Sequence, residues 1–271
     1  MSLPLPLGEG GGEGLRAMIV LRYLFEGQEG YGALQGEVVH ALQGDIFGSY
    51  KTGDAIAPLE AVTLLTPVKP SKIVAIGRNY RAHAAEMGAD LPKEPLLFLK
   101  PPSSVIGPSE TILLPPQSSR VEHEAELAVI IGRRAKDVPW NAALTYVFGC
   151  TIANDVTARD LQRADGQWTR GKGFDTFCPL GPWIVTNLDT AAVGIRARVN
   201  GVVRQDGHTR DLIFDVPYLV SYISKVMTLE PGDVILTGTP AGVGPLDAGD
   251  VVEIEIDNLG VLRNPVAYAG T

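Results

Sequence analysis

Hydrophobic residues run through the first part of the chain in short stretches that glycines interrupt. Three of these stretches, 20–25, 36–42 and 61–65, predict the strands of a small N-terminal β domain over residues 18–66. Two prolines lie close together in Pro67-Val-Lys-Pro-Ser71. Because proline lacks a ladder donor and fixes φ, this segment predicts a linker. The pattern therefore separates a small β domain from a larger domain over residues 72–271.

The larger domain contains runs that are apolar on both faces. The run 73–76 predicts a short buried strand, and the following residues 79–87 predict a helix closed by Gly88. Every position from Leu127 to Ile131 is apolar, which is typical of a strand buried on both faces. The next apolar run, 147–155, ends in an aspartate.

Turn signals punctuate the rest of the chain. Asn200-Gly201 between two strand-like runs is a strong hairpin signal. Asp215 is a good N-cap with Pro217 in the first turn, and a helix is predicted by the apolar stripe of Leu219, Val220, Ile223, Val226 and Met227. Few helices, many strands and frequent Gly and Pro turns predict a mainly β, α+β fold, a mixed β roll or sandwich with a few short helices.

Composition narrows the class of protein. The 271 residues are 45% hydrophobic and 20% charged, a balance typical of a folded protein rather than a disordered one. A net charge of −8 argues against a nucleic-acid partner. No apolar stretch is long enough to predict a membrane span. Cys150 and Cys178 have no metal-type spacing, and we expect both to be buried free thiols of a cytoplasmic protein.

The first seventeen residues have a different composition from the rest. They are rich in Gly and Pro and lack the apolar core and basic residues of a signal peptide. We interpret 1–17 as a disordered leader, or Met18 as the natural start, because the first strand-like run opens there.

Two glutamates at the start of the most apolar run are the first candidates for chemistry. Glu124 and Glu126 face the same side of a strand because side chains alternate. If both are buried, they repel each other and lose hydration unless a cation holds them. With Asp155 they form three oxygen ligands without a nearby cysteine, which favours a hard divalent ion, Mg²⁺ or Mn²⁺. The alternative is the solvated face of a half-exposed strand, since lone charges usually face water.

The predicted helix after the first buried strand carries a candidate general base. His83 and Glu86 are three residues apart and therefore share a helix face. A carboxylate beside a histidine raises its basicity and fixes its tautomer. A surface ion pair at helical spacing is the alternative for these two residues.

Cations occur in the same stretches as these carboxylates. Arg78, Lys100, Arg159 and Lys172 are all of this kind, although most Lys and Arg side chains are solvated. Lys172 is flanked by two glycines, so backbone can approach a ligand closely there. The segment Thr237-Gly-Thr-Pro240 ends an apolar run and offers hydroxyls and backbone donors, and a plain turn would explain it nearly as well.

Six short motifs occur together in a fixed order and cover residues 72–266. They are Gly77-Arg-Asn-Tyr-Arg-Ala-His83 with Glu86, Phe98-Leu-Lys-Pro101, His123-Glu-Ala-Glu-Leu127, Asn154-Asp-Val-Thr-Ala-Arg-Asp160 with Gln162, Lys172-Gly-Phe-Asp175 and Leu236-Thr-Gly-Thr-Pro240. This combination is specific and resembles the fumarylacetoacetate hydrolase family. The opening fifty residues resemble the small β domain that precedes the catalytic domain in short bacterial members.

The resemblance implies a role for eleven residues. It implies Glu124, Glu126 and Asp155 as ligands of Mg²⁺ or Mn²⁺, and His83 with Glu86 as a catalytic dyad on a helix that closes over the substrate. Lys172 is implied as a further catalytic residue. A substrate pocket is implied for Arg78, Lys100, Arg159, Gln162 and Thr239. Larger eukaryotic-type members add a fourth carboxylate on the strand before the dyad helix, and its absence from 73–76 weakens the case for fumarylacetoacetate itself as the substrate.

The activity implied by the resemblance is isomerisation or decarboxylation of a 2-hydroxy-diene-dioate or 2-oxo-ene-dioate from aromatic catabolism. The resemblance extends to members that isomerise 2-hydroxyhepta-2,4-diene-1,7-dioate. We expect the second carboxylate of such a small anionic substrate to meet Lys100, Lys172 or Arg159. The alternatives are hydrolysis or decarboxylation of an acylpyruvate, fumarylpyruvate or oxaloacetate, and a metal-binding homologue without catalysis. The resemblance also implies a homodimer.

Overall fold

The computed structural model describes residues 17–86, 88 and 90–270. The predicted leader, apart from residue 17, and the predicted helix end at Met87 lie outside these residues. Within them, strands are many and helices are few and short, which confirms the mainly β fold class.

The strands are β1 (Ile19–Phe25), β2 (Gln28–Gln35), β3 (Val38–Gly44), β4 (Tyr50–Pro58), β5 (Thr63–Leu65), β6 (Ile73–Gly77), β7 (Leu96–Lys100), β8 (Val105–Ile106), β9 (Ile112–Leu114), β10 (Val121–His123), β11 (Ala125–Ile131), β12 (Val147–Asn154), β13 (Thr157–Ala158), β14 (Cys178–Val185), β15 (Gly194–Val199), β16 (Val202–His208), β17 (Val234–Leu236), β18 (Gly244–Pro245), β19 (Val251–Ile256) and β20 (Gly260–Tyr268). The α-helices are α1 (Arg81–Glu86), α2 (Arg159–Asp165), α3 (Thr169–Lys172) and α4 (Val216–Val226). Single 3₁₀ turns or short 3₁₀ helices cover Leu59–Ala61, Pro102–Ser104, Trp140–Tyr146 and Thr209–Asp211. None of the described helices combines the length and apolar character needed to cross a membrane.

The described strands form three sheets. The largest has twelve strands in the order β4-β3-β2-β1-β14-β12-β11-β17-β6-β7, with β5 added to β1 and β8 added to β14. A five-stranded sheet runs β16-β15-β19-β20-β9, and a three-stranded sheet runs β13-β10-β18. Pairing is mostly antiparallel, while β17 with β6, β14 with β8 and β20 with β9 are parallel.

The central strands of the large sheet are buried on both faces. Every residue of β11 is buried, and its neighbours are β12 and β17. Leu127, Val129 and Ile131 pack in one core cluster. Ala128 and Ile130 pack in the other. Alternation along the strand therefore fills two cores, which confirms the prediction from the continuous apolar run.

The N-terminal strands continue the large sheet. Ile19 and Val20 of β1 pair with Val185 and Ile184 of β14. The sequence pattern predicted β1, β3 and β5 to within a few residues but missed β2 and β4. Most residues of β2 and β4 are exposed or half-buried, so these strands have no continuous apolar run that could have predicted them.

The C-terminal predictions of a hairpin and a capped helix are both confirmed. Asn200 and Gly201 connect β15 to β16 with φ values of 52° and 77°, as a tight hairpin turn requires. The Asp215 carboxylate accepts a 2.9 Å hydrogen bond from the Tyr218 amide at the start of α4. This cap satisfies one of the free amides of the first helical turn.

Candidate active site

Three buried carboxylates meet where β11 and β12 run side by side. Glu124 lies between β10 and β11, Glu126 is the second residue of β11, and Asp155 follows β12. The Asp155 amide donates to the Glu124 carbonyl at 2.9 Å, which fixes the two backbones together. One carboxylate oxygen from each residue lies within 4.8 Å of the others. All three side chains are buried, so the alternative of a half-exposed, solvated strand face is excluded.

Three buried cations already contact two of these carboxylates. Lys172 Nζ lies 2.7 Å from Glu124 Oε2 and also binds Asp155. Arg159 Nη2 lies 2.5 Å from Glu124 Oε1, and Lys100 Nζ lies 2.6 Å from Asp155 Oδ1. Burial alone would raise the pKa of Glu124, but Lys172 and Arg159 lower it far below the ordinary value. Glu124 is therefore held ionised.

Glu126 differs from its two neighbours. Among the described residues it forms no ion pair, and its carboxylate accepts a 2.6 Å hydrogen bond from the Gly238 amide. Burial raises its pKa well above the ordinary value, and repulsion from Asp155 and Glu124 raises it further. A divalent cation would supply the missing positive charge, and carboxylate oxygens suit Mg²⁺ or Mn²⁺. The donor set fits a hard divalent ion.

A histidine–glutamate pair lies beside the triad on α1. His83 Nδ1 is 3.0 Å from Glu86 Oε2, and the other oxygen of Glu86 accepts from the Gly242 amide at 3.0 Å. The His83 side chain is only 7% exposed, whereas that of Glu86 is 36% exposed, so the pair joins a buried imidazole to a carboxylate that reaches the surface. Donation from Nδ1 to Glu86 would leave Nε2 free to accept a proton.

A cavity of about 340 Å³ joins the triad and the histidine. It brings together nine of the eleven residues singled out in the sequence, namely Arg78, His83, Glu124, Glu126, Asp155, Arg159, Gln162, Lys172 and Thr239. Glu86 and Lys100 do not line it. Glu86 contacts His83, while Lys100 lies behind Asp155 and also donates to the Val156 carbonyl at 3.3 Å.

Several residues of the site were not predicted from the sequence. Glu122 is buried and accepts from Arg159 Nε and Arg120 Nε, each at 2.6 Å. Glutamates alternate at positions 122, 124 and 126, and this pattern could have predicted that Glu122 belongs to the same site. Phe98, Arg163 and Trp168 line the cavity, but Arg163 and Trp168 belong to no motif that the sequence analysis used.

Two family models match the chain. The model described as fumarylacetoacetate (FAA) hydrolase C-terminal matches residues 72–267. A second model, described as Rv2993c-like, N-terminal, matches residues 18–67.

Relatives and solved structures are similar over most of the chain. Oxaloacetate tautomerase fahd2, mitochondrial, of Xenopus laevis is 48% identical over 218 residues, 76% of this chain and 68% of its own. The structure of 2-hydroxyhepta-2,4-diene-1,7-dioate isomerase from Mycobacterium marinum is 44% identical with a TM-score of 0.87, covering 93% of this chain and 100% of the other. Maleylpyruvate hydrolase from Sphingobium sp. SYK-6, solved with manganese(II) and pyruvate, is 32% identical with a TM-score of 0.77, covering 93% and 99%.

Proposed function

This chain belongs to the fumarylacetoacetate hydrolase family, whose members include isomerases, hydrolases and tautomerases, and we propose that it is a Mg²⁺- or Mn²⁺-dependent isomerase or decarboxylase. Its proposed substrate is a 2-hydroxy-diene-dioate or 2-oxo-ene-dioate. The observation that carries the proposal is the buried triad of Glu124, Glu126 and Asp155, which opens into the same cavity as His83.

The charge of the buried cluster supports an anionic substrate. Its buried carboxylates are Glu122, Glu124, Glu126 and Asp155, and the buried cations that contact them are Lys100, Arg159 and Lys172, while the exposed Arg120 also pairs with Glu122. A divalent ion would add two positive charges to this site, so that the positive charges would outnumber the four carboxylates even with all four ionised. A 2-oxo acid brings negative charge that compensates this excess, whereas a neutral substrate would leave it unmatched.

His83 is the proposed proton carrier. When bound, the divalent ion would supply Lewis acidity toward the 2-oxo or enol group of the substrate. Glu86 orients the imidazole through Nδ1, so that Nε2 can take a proton from one substrate atom and return it to another. Lys172 holds a positive charge beside the triad, because Asp155 and Glu124 raise its pKa although burial disfavours its charge. These groups suit the transfer of a proton within an enol–keto pair.

A second candidate is tautomerisation or decarboxylation of oxaloacetate, and the Xenopus laevis tautomerase favours it. Hydrolysis of an acylpyruvate or fumarylpyruvate is a third, supported by the maleylpyruvate hydrolase at lower identity. All three reactions place a 2-oxo acid at the same carboxylates. A metal-binding homologue without catalysis is the remaining alternative, and the dyad beside the triad argues against it.

One assay separates these candidates. The full chain is incubated with 2-hydroxyhepta-2,4-diene-1,7-dioate, oxaloacetate or fumarylpyruvate, each with Mg²⁺, with Mn²⁺ and with a chelator, and products are followed by absorbance and NMR. Isomerisation retains all carbons, decarboxylation releases CO₂, and hydrolysis of fumarylpyruvate consumes water and releases fumarate and pyruvate without CO₂. We expect metal-dependent isomerisation or decarboxylation of the seven-carbon dioate. Hydrolysis alone would favour the third candidate, and no turnover of any substrate would contradict the proposed enzyme.

We also propose a cytoplasmic homodimer. The two cysteines of the described chain are free and buried, which agrees with a reducing compartment. Light scattering on the purified protein tests the dimer, and a mass equal to one chain would contradict it.

A further inference from the structure

Two of the four Lys and Arg side chains that line the cavity are already bound to carboxylates of the protein. Arg159 donates from Nε to Glu122, from Nη1 to Gln162 and from Nη2 to Glu124. Lys172 donates to Glu124 and Asp155. The third cation that the sequence suggested for the second carboxylate, Lys100, lies outside the cavity and binds Asp155. All three positive charges therefore contact carboxylates of the triad, where the proposed metal end of the cavity lies.

The other two cations of the cavity, Arg78 and Arg163, have no such partner. Neither guanidinium group forms a hydrogen bond or an ion pair with any residue that the structure describes, and both residues are exposed. The guanidinium carbon of Arg78 lies 6.0 Å from the centre of the Trp168 ring, a distance compatible with a cation–π contact. Two unpaired guanidinium groups thus lie at the exposed part of the same cavity.

An aromatic wall leads from the triad to Arg78. Lys172 Nζ, which binds the triad, lies 5.0 Å from the centre of the Phe98 ring. The rings of Phe98 and Trp168 are 5.2 Å apart between centres, and Arg78 follows beyond Trp168. Side chains along this wall change from buried at Lys172 to exposed at Arg78. The wall therefore runs from the metal end to the mouth.

Helix α2 leads from the triad to Arg163. Arg159 is buried against Glu124, and Arg163 is four residues further along, so both lie on one face of the helix. One helical turn rises about 5.4 Å. Helix α2, like the aromatic wall, thus leads from the triad to an exposed arginine without an ion-pair partner among the described residues.

The backbone around Arg78 is fixed by the hydrogen bonds of its neighbour. Its φ of 57° is in the left-handed region, which is uncommon for residues other than glycine and concentrates at functional sites. The next residue, Asn79, is buried and bonds the backbone of Phe214 and Thr237 at 2.7–3.0 Å. A Cβ at Gly77 would lie 2.5 Å from the Trp168 ring, so glycine allows Trp168 to pack there.

We propose that Arg78 and Arg163 form a distal anion subsite that binds the second carboxylate of a dioate whose 2-oxo end lies at the triad. This inference rests on the proposed function. A guanidinium fork matches the geometry of a carboxylate, and the rings of Phe98 and Trp168 suit a flat conjugated chain between the two ends. Because Arg163 lies about one helical turn beyond Arg159, which contacts the triad, the subsite would favour a long dioate over oxaloacetate.

Calorimetry on the Mg²⁺-loaded full chain tests the subsite with three probes. Oxalate occupies only the metal end, 2-oxoheptanedioate can reach both ends, and 2-oxoheptanoate has the same length without the second carboxylate. In the wild type we expect 2-oxoheptanedioate to bind about tenfold or more tightly than 2-oxoheptanoate, since charged hydrogen bonds are lost in the second case. Arg78→Gln and Arg163→Gln each reduce this preference, and the double variant removes most of it.

The controls separate the subsite from the proposed function. Arg81→Gln changes an exposed arginine of α1 that does not line the cavity, and the preference stays as in the wild type. Arg163→Lys keeps the charge and retains part of the preference. Oxalate affinity stays unchanged in all variants. Equal affinity for both seven-carbon probes in the wild type, or an unchanged preference in the double variant, overturns the subsite, whereas absence of oxalate binding to the wild type overturns the proposed function itself.

Discussion

Glu126 is the residue of the triad that depends most on a bound cation. Lys172, Arg159 and Lys100 contact Glu124 and Asp155 but not Glu126. Its raised pKa follows from burial and from the two neighbouring negative charges. Burial and the two neighbouring negative charges thus disfavour its ionised form, and in the proposed metal-bound enzyme this side chain would be a ligand.

Glu126→Gln is expected to abolish Mg²⁺ binding and turnover without loss of the fold. The amide can still accept from Gly238, and the repulsion within the triad is relieved. In the wild type, Mg²⁺ at a hundred times its Kd should stabilise the protein by about 2.7 kcal/mol, and this gain should disappear in the variant. Thermal unfolding with and without Mg²⁺ measures it, with exposed Glu60→Gln as the control. Unchanged Mg²⁺ affinity by calorimetry would refute the ligand assignment.

His83 is expected to transfer a substrate proton and not to bind the metal. His83→Ala should lower kcat by about a hundredfold or more, the usual scale of general-base catalysis, while oxalate affinity of the Mg²⁺-loaded protein changes little. Glu86→Gln should give a smaller loss, because the amide still contacts Nδ1 but no longer stabilises a cationic imidazole. Steady-state kinetics and calorimetry on both variants provide the comparison. A parallel collapse of oxalate binding would assign His83 a ligand or structural role instead.

At the scale of elements, the start of helix α2 is held by the side chain of Asp160 and not by its N-cap residue. Ala158 makes no side-chain cap, and Asp160 in the first turn accepts instead from Ser118 Oγ at 2.6 Å and from Ser119 N at 2.9 Å. Slight burial raises the pKa of Asp160, but the hydrogen bonds from Ser118 and Ser119 outweigh it and lower the pKa to about 2. This contact fixes the helix that carries Arg159, Gln162 and Arg163.

The anchor of α2 predicts a pH dependence. Because the folded-state pKa of Asp160 is below the unfolded value of about 3.9, its contribution is present above about pH 4 and is lost as the pH falls toward about 2. Asp160→Asn should therefore be less stable than the wild type at pH 7, and the difference in Tm should shrink as the pH falls through this window. Thermal scans of both proteins at pH 7, 4, 3 and 2 measure it. A constant difference across the four scans would contradict the assigned role.

At the scale of the whole molecule, one sheet joins the N-terminal segment to the buried triad. Strand β1 pairs with β14, which in turn pairs with β12 next to the triad. Met18 and Thr186 add two hydrogen bonds at 2.9 and 3.0 Å to this junction. We propose that the segments 18–66 and 72–271 are separate units in sequence that unfold together because they share this sheet.

Val20→Ala tests this shared unfolding. Val20 is fully buried in the core cluster that also contains Ile184 of β14, and its truncation should cost about 2 kcal/mol. All three tryptophans, Trp140, Trp168 and Trp183, lie after residue 72, so their fluorescence reports the larger segment. We expect the tryptophan transition of Val20→Ala to shift to lower denaturant in a single step. Leu24→Ala, at a partly exposed position of β1, should shift it less, and a tryptophan transition unaffected by Val20→Ala would show independent domains.

The sequence by itself determined the local features whose cause lies within a few residues. The continuous apolar run of β11, the Asn-Gly hairpin and the Asp215 cap follow from periodicity and turn chemistry, and the structure confirms each. Alternation along a strand placed Glu124 and Glu126 on one side, and the motifs identified the family. These predictions hold because side-chain direction and local hydrogen bonding repeat with the period of the element.

Only the tertiary structure decided which distant charges meet. The sequence offered Lys100, Arg159 and Lys172 as partners of the second substrate carboxylate, yet sheet register and the placement of α2 and α3 bring all three to the triad and leave Arg78 and Arg163 unpaired. Strands β2 and β4 were missed because their residues, mostly exposed or half-buried, carry no apolar run, and the pairing of β1 with β14 joins residues more than 160 positions apart. Pairings of this kind depend on the global packing of the sheet, which composition and periodicity do not encode.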